Sequence, residues 1–251
     1  MVRLSVNVNK IATLRNSRGG REPRVLDAVQ VSLEAGAAGI TVHPRADRRH
    51  ITPQDVADIA RALEPHRPAI EYNIEGDPRP DLLDLVESVR PDQCTLVPVM
   101  AGEITSQAGW SRAGASASRL PAAIGRLKAR GIRVSLFVDA VPEAVNLAAD
   151  LGADRVELYT EPFARAFEQG PEAAQRSFEM FVAAARLAHA RKLAVNAGHD
   201  LDLANLIHFR TLPHLAEVSI GHAIVSRAVF VGLETVIREY VRVLGTDAVV
   251  L

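Results

Sequence analysis

The sequence predicts an α/β fold in which eight strand-then-helix units close into a single (β/α)8 barrel spanning residues 1–251. Three observations carry that expectation. Short runs rich in Val, Ile and Leu alternate with longer segments of helical spacing along the whole chain. Proline opens several helical segments (Pro53, Pro142, Pro171), and glycine precedes several strands (Gly39, Gly131, Gly152), so turn chemistry keeps the same beat. No linker interrupts the series, and about 250 residues is the usual size of a closed barrel of this kind.

Taken in order, LSVNVN at 4–9 is the first strand, and the polar loop RNSRGGREP separates it from a helical pattern at about 25–35. Further strands are expected at 39–43 (GITVH), 69–74 (AIEYNI), 93–99 (QCTLVPV), 133–139 (RVSLFVD), 155–160 (RVELYT), 193–198 (LAVNAG) and 217–221 (EVSIG). Helices are expected at 53–64, 80–89 and 171–191, where Glu, Arg and Lys take the outward turns. The stretch 101–119 (AGEITSQAGWSRAGASASR) is long for a strand-to-helix loop, which makes it either a lid or binding loop or a surface excursion.

A hydrophobic content of 48% supplies an ample core, and a net charge of −1 gives no bulk attraction to nucleic acid or to an anionic membrane. Any basic site must be local. The single cysteine, Cys94, excludes an intrachain disulfide and a cysteine-rich zinc site. No apolar run approaches the roughly 18 residues of a membrane span, and the chain opens on a strand without a basic-then-apolar leader, so a cytoplasmic location is expected.

Chemistry in such barrels gathers at the carboxyl ends of the strands. ITVHPRADRRHIT (40–52) runs from buried strand straight into His43, Arg45, Arg48, Arg49 and His50. Fixed guanidinium donors beside a titratable ring suit a phosphorylated substrate, against the alternative of a solvated arginine loop. The first strand delivers Asn7, Asn9 and Lys10 to the same rim, the third Glu71 and Asn73, and the fifth Asp139. The sixth offers Glu157 and Thr160, the seventh Asn196 and His199, and the eighth Gly221 and His222. Alternation aims Glu71 into the barrel, where it is an acid–base group of raised pKa, half of a buried ion pair with an arginine, or a barrel-filling layer contact. GHD at 198–200 and IGHAIVSRA at 220–228 are glycine turns feeding helix starts, the usual place for phosphate in a barrel. No His-x-His pair, HExxH motif or carboxylate cluster stands at metal-ligand spacing, so no metal is expected. Of the three lysines, Lys10, Lys128 and Lys192, only Lys10 falls at the rim, which disfavours a Schiff-base aldolase.

In order and together, VNVNKIATLRNSRGG (6–20), GITVHPRADRRHIT (39–52), IEYNIEG (70–76), CTLVP (94–98), VSLFVDA (134–140), VELYTEPFA (156–164), VNAGHDL (195–201) and SIGHAIVSRAV (219–229) resemble the pyridoxine 5′-phosphate synthases of vitamin B6 biosynthesis. The resemblance spans nearly the whole chain. It implies a TIM barrel with extra helices, a homo-oligomer (an octamer built from dimers), and no metal or organic cofactor. The implied reaction is a transferase-type, ring-forming condensation of 1-deoxy-D-xylulose 5-phosphate with 3-amino-2-oxopropyl phosphate, releasing phosphate and water. By the same resemblance His43 and Glu71 are proton acceptors and His199 is a proton donor. Asn7, Arg18, Asp200, Gly221 and His222 are contacts for the amino-ketone phosphate; Arg45, His50 and Thr105, with Asn9 and Lys10, are contacts for the deoxyxylulose phosphate. Many members carry Asp-His where this chain has Asn9-Lys10, so a carboxylate is lost and a permanent cation replaces an imidazole. The alternatives are a phosphosugar isomerase or aldolase on the same barrel, or a non-catalytic sugar-phosphate-binding barrel.

Overall fold

Strand parity decides what lies on each side of the barrel wall. The computed structural model describes residues 1–98 and 108–245. Its strands are β1 (Arg3–Asn7), β2 (Gly39–Val42), β3 (Glu71–Gly76), β4 (Gln93–Leu96), β5 (Arg133–Val138), β6 (Arg155–Tyr159), β7 (Ala194–Gly198) and β8 (Leu215–Ile220). They pair in parallel in sequence order, and β8 returns to β1 through the register Arg3↔Glu217 to Val6↔Ile220, so the sheet has no edge. Residues of one parity, among them Leu4, Val6, Ile40, Val42, Ile74, Leu136, Leu158 and Val218, are buried in one hydrophobic core with the inner faces of the helices. Each such side chain contributes roughly 1.5–3 kcal/mol by leaving water.

Residues of the other parity meet across the barrel interior and are mostly polar. Ser5 Oγ lies 2.7 Å from Thr41 Oγ1, Thr95 donates to Asn73 Oδ1 at 3.0 Å, and Asn196 donates to Glu217 Oε1 at 3.5 Å. Barrel interiors are commonly filled by Val, Ile and Leu; here hydrogen bonds satisfy most of the groups that burial would otherwise penalise.

The helices are α1 (Asn9–Asn16), α2 (Val25–Glu34), α3 (Pro53–Leu63), α4 (Pro80–Val89), α5 (Arg112–Ala117), α6 (Leu120–Lys128), α7 (Pro142–Asp150), α8 (Glu161–Glu168), α9 (Pro171–Ala190), α10 (Leu203–Phe209), α11 (His222–Val231) and α12 (Leu233–Gly245). Proline does stand in the first turn of α3, α7 and α9. Thr52 caps α3 in a capping box with Asp55, whose carboxylate also receives Arg15 of α1, with Arg15 Nη2 at 2.9 Å from Oδ2. Asn16 Nδ2 donates to the His50 carbonyl at 2.8 Å, so α1 and α3 clamp the cationic loop between β2 and α3. Part of the long stretch expected to be a loop, 101–107, with Thr105 inside it, lies outside the described residues. Its remainder holds Trp110, whose indole donates to the Leu96 carbonyl at 2.9 Å, and the short helix α5. Among the described residues no helix is long and apolar enough to cross a membrane.

Most strands fall within a residue or two of expectation, and β3 is the consequential case. It runs from Glu71 through Gly76, two residues beyond the expected end. Glu71 therefore opens the strand at the amino end of the barrel, and its expected place at the carboxyl rim is corrected. Its carboxylate, with a side chain only 4% exposed, lies 2.6 Å from Arg133, 3.4 Å from Arg155 and 3.5 Å from Arg3. Of the alternatives, the buried ion pair is what the chain builds. Burial, and next the Glu71 charge, push neighbouring Glu217 up to about 8.

Glu71→Gln should lower the unfolding free energy by about 2–4 kcal/mol in urea titrations. Partial exposure of Arg3 and Arg133, at 38% and 42%, keeps the loss below that of a fully buried pair. Ionisation of Glu217, released from repulsion, offsets part of it.

Candidate active site

At the carboxyl ends of the strands the polar interior opens into a cavity of about 810 Å³. Asn7, Asn9, Lys10, His43, Arg45, His50, His199, Asp200, Gly221 and His222 all line it, as expected of the rim. Arg18 does not line it; it lies exposed in the turn after α1. Glu75, Glu157, Tyr159, Glu161 and Arg165 line it as well and were not assigned binding or catalytic parts from the sequence.

Backbone placement of the β2 end depends on Asn9. Its Oδ1 accepts the His43 amide at 2.9 Å, while its own amide donates to Asn7 Oδ1 at 3.0 Å. Asn9, the first residue of α1, thus ties the end of β2 to that helix and, through Asn7, to β1. His43 Nδ1 stands 4.0 Å from Glu75 Oε2, and Asn7 Nδ2 donates to the same oxygen at 3.5 Å. Among the described residues His43 Nε2 is buried without a hydrogen-bond partner. The His50 ring lies edge-on to His43 at 6.2 Å.

On the far wall His199 Nδ1 is 2.9 Å from Asp200 Oδ2, and its ring packs edge-on against Tyr159 at 5.0 Å. His199 and Asp200 both adopt left-handed backbone, with φ of 87° and 60°, a conformation that costs a non-glycine residue about 1–3 kcal/mol. Thr160 supports this turn by donating its hydroxyl to the carbonyls of Gly198, at 2.8 Å, and His199. Glycine is required where walls converge: a Cβ on Gly198 would sit 2.5 Å from Glu157 Oε1, and one on Gly221 would sit 2.8 Å from the Asn7 carbonyl. Gly221 leads into α11, whose first turn holds no acidic residue, and Gly221, His222 and Ala223 line the cavity together with Asp200.

Electrostatically the floor and the rim differ. Burial, and then the nearby His50, Arg45 and Arg79 cations, push His43 down to about 3; burial and then Arg45 push His50 down to about 4. Burial, and then the charge of Glu157, hold Glu75 well above the usual carboxylate range. Burial raises Glu157 too, against the opposing pull of His199 and a hydrogen bond from Thr95. The hydrogen bond from His199 holds Asp200 below the usual range. The floor thus favours uncharged imidazoles and protonated carboxyls, while Lys10, Arg45, Arg49 and Asp200 bring fixed charge to the rim.

Glu75 had a legible signal: Glu71, Asn73 and Glu75 share one face of β3, and extending that strand to Gly76 places the last of them at its carboxyl end. Glu161 and Arg165 had none, because they reach the cavity from α8, a helix start that carries no phosphate-type motif.

The family model for "Pyridoxal phosphate biosynthesis protein PdxJ" matches residues 4–246. The pyridoxine 5′-phosphate synthase of Leptospira biflexa is 49% identical over 254 residues, covering 98% of each chain. That of Bacteroides thetaiotaomicron is 50% identical over 242 residues, covering 96% of this chain and 98% of the relative. Among solved structures, 3-hexulose-6-phosphate synthase from Salmonella typhimurium matches with a TM-score of 0.64 at 15% identity, covering 97% of this chain and 98% of that one. Phosphoribosyl anthranilate isomerase from Thermotoga maritima matches with a TM-score of 0.60 at 16% identity, with the same coverage. At such identities these two show a shared barrel fold alone.

Because the unfolded chain binds protons at His43 and His50 near pH 6.5 and the folded chain binds them only near 3 and 4, the two imidazoles withdraw stability as pH falls below about 6.5. The raised carboxyls act with the opposite sign, so a difference measurement isolates the histidine. Relative to wild type, His50→Asn should gain stability progressively between about pH 6.5 and 4. Urea titrations at several pH values check this, and a constant difference across the window contradicts it.

Proposed function

The chain belongs to the PdxJ family of pyridoxal phosphate biosynthesis proteins, and from that membership we propose how its residues divide the work of a pyridoxine 5′-phosphate synthase. The reaction joins 1-deoxy-D-xylulose 5-phosphate to 3-amino-2-oxopropyl phosphate and releases phosphate and water. One observation carries the assignment of roles: His43, His199, Glu75 and Glu157 meet Lys10, Arg45 and Arg49 around a single cavity. Attack of the amine on the ketone, loss of water to an imine, loss of phosphate and closure of the ring each move protons, and each needs a group within hydrogen-bond reach.

His43 is the proton acceptor, with Nε2 as the atom that meets substrate. Arg45, His50 and Lys10 hold the deoxyxylulose phosphate, with Asn9 keeping the β2 end in place. Arrival of a phosphate dianion offsets the cation repulsion that, after burial, depresses His50 and His43, and so raises the basicity of both rings. His199, oriented by Asp200 and Tyr159, is the proton donor. The amino-ketone phosphate takes the amides at Gly221 and His222 and the Asn7 side chain, while the ionised Asp200 holds its amine. Arg18 and Thr105 stand as further phosphate contacts by family resemblance. Glu71, at the other end of the barrel, has no direct part in this scheme.

A homo-oligomer, an octamer by family resemblance, is part of the same proposal. Val229, Phe230 and Val231 at the end of α11 are exposed, Phe230 by 86%, and burial of such a ridge against a second copy supplies a favourable apolar contact.

Incubating the protein with both phosphates and following pyridine absorbance tests the scheme. His43→Asn and His199→Asn should each lower kcat by about 10²–10⁴ with little change in KM. Arg45→Ala should raise KM for the deoxyxylulose phosphate, more so at high salt. Wild-type turnover in both histidine variants would remove them from the mechanism. In sedimentation, Phe230→Glu should give a smaller species than wild type.

A further inference from the structure

Glu161 and Arg165 reach the cavity from α8, and no step of the reaction yet uses either. They stand four residues apart, so they share one face of that helix, and the Arg165 guanidinium pairs with the Glu161 carboxylate. Phe163 lies between them in sequence and about half a turn away from each around the helix, where it is fully buried. Its ring is 5.0 Å from Phe209 and 5.9 Å from Phe178, so α8 is anchored on α9 and α10 while its opposite face meets the cavity. The pair is unequal. The Glu161 side chain is 18% exposed and, at the first residue of α8, meets the positive end of the helix dipole, whereas the Arg165 side chain is 76% exposed. Exposed pairs at this spacing are weak, so the guanidinium can leave for a better acceptor while the carboxylate stays in place.

Cations are unevenly spread around the cavity. Among the described residues its lysines and arginines are Lys10, Arg45, Arg49 and Arg165. The first three follow β1 and β2, and Arg165 alone comes from the side of β6 to β8, where Asp200, Gly221 and His222 also stand. The hydrogen bond from His199 does most to hold the Asp200 carboxyl below its usual range, and the charges of His222 and Arg165 add to it, which places Arg165 within electrostatic reach of this corner. A phosphate dianion at Gly221 and His222 meets the like charge of Asp200, and backbone amides bring only partial charge to offset it. That wall therefore needs a full cation when the dianion arrives.

We propose that Arg165 is a binding residue for the phosphate of 3-amino-2-oxopropyl phosphate, its guanidinium passing from Glu161 to the phosphate as that substrate enters. A phosphate offers oxygens that accept the guanidinium fork in a bidentate, charge-assisted pair, and such a pair outcompetes an exposed pair along one helix. Glu161 holds the guanidinium at the cavity lip until then. Each phosphorylated reactant thereby has its own wall, with Lys10 and Arg45 for the deoxyxylulose phosphate and Arg165 for the amino-ketone phosphate. Two dianions of similar charge are sorted by the cation that meets each, which sets which end of the cavity each carbon chain enters.

The proposal rests on the assignment of Gly221 and His222 to the amino-ketone phosphate, and the kinetics keep the two claims apart. Pyridine formation is followed with one phosphate varied at a time. Arg165→Met should raise KM for the amino-ketone phosphate by about 10- to 100-fold, with KM for the deoxyxylulose phosphate within about twofold and the loss in KM rather than kcat. Arg165→Lys, which keeps the charge without the fork, should fall between wild type and Arg165→Met. Glu161→Gln should lower KM for the amino-ketone phosphate by about two- to threefold, because it removes the competing acceptor. An unchanged KM for the amino-ketone phosphate in Arg165→Met, or an equal rise for both phosphates, would overturn the part given to Arg165. So would a rise in Glu161→Gln as large as that in Arg165→Met, which would make the intact pair a brace of α8. A rise confined to the deoxyxylulose phosphate would show that the reactants take the opposite walls, and the assignment of Gly221 and His222 would fall with the proposal. Calorimetric titration of the amino-ketone phosphate onto the full-length wild type and Arg165→Met decides the matter even if wild type forms no pyridine: weaker binding to the variant supports Arg165, and equal binding overturns it.

Discussion

A closed ring of eight parallel strands with polar side chains turned inward imposes one constraint on everything else: each inward group needs a partner inside the ring. Closure leaves no sheet edge to water, and burial of an unpaired polar group costs on the order of 1–3 kcal/mol. The chain meets the demand differently at each level. At the amino end Glu71 draws Arg3, Arg133 and Arg155 together. In the middle, Ser5, Thr41, Asn73 and Thr95 pass hydrogen bonds from strand to strand. Among the described residues five buried side-chain atoms lack a hydrogen-bond partner: Gln93 Oε1, Arg133 Nε, Ser135 Oγ and Glu217 Oε2 away from the cavity, and His43 Nε2 at the carboxyl end. Of these residues only His43 lines the cavity, where a ligand can meet its demand.

The same constraint explains the electrostatic character of the cavity. Its floor is built from residues in or directly after the strands that burial drives toward their uncharged forms, the imidazole of His43 downward and the carboxyls of Glu75 and Glu157 upward. Its rim carries Lys10 from α1 and Arg45, Arg49 and Asp200 from the loops, with Arg45 itself buried. Phosphate dianions suit that division, because the fixed cations Lys10, Arg45 and Arg49 line the cavity. The clamp from Arg15 and Asn16 to Asp55 and His50 fixes the cationic loop in advance, so ordering it costs little when phosphate arrives.

Much of this was legible from residue order. Proline in the first turn of α3, α7 and α9 and the repeating strand runs defined the units, and His43, Arg45 and His50 could be placed at the rim because they follow a strand directly. Glu71 was misplaced because alternation reports which face a side chain takes but not how high it sits along the barrel axis. A strand end drawn at Ile74 instead of Gly76 exchanged the floor of the site for its opposite mouth.

Sequence by itself determined the barrel, the inward and outward faces of each strand and the family, since these follow from local periodicity and from motifs read in order. Only the tertiary structure decided which of two inward glutamates on β3 belongs to the cavity, that three arginines from β1, β5 and β6 converge on the other, and that Asn9 holds the amide of His43. Those are contacts between residues far apart in the chain. Their geometry depends on strand stagger around the closed ring, which no single strand encodes.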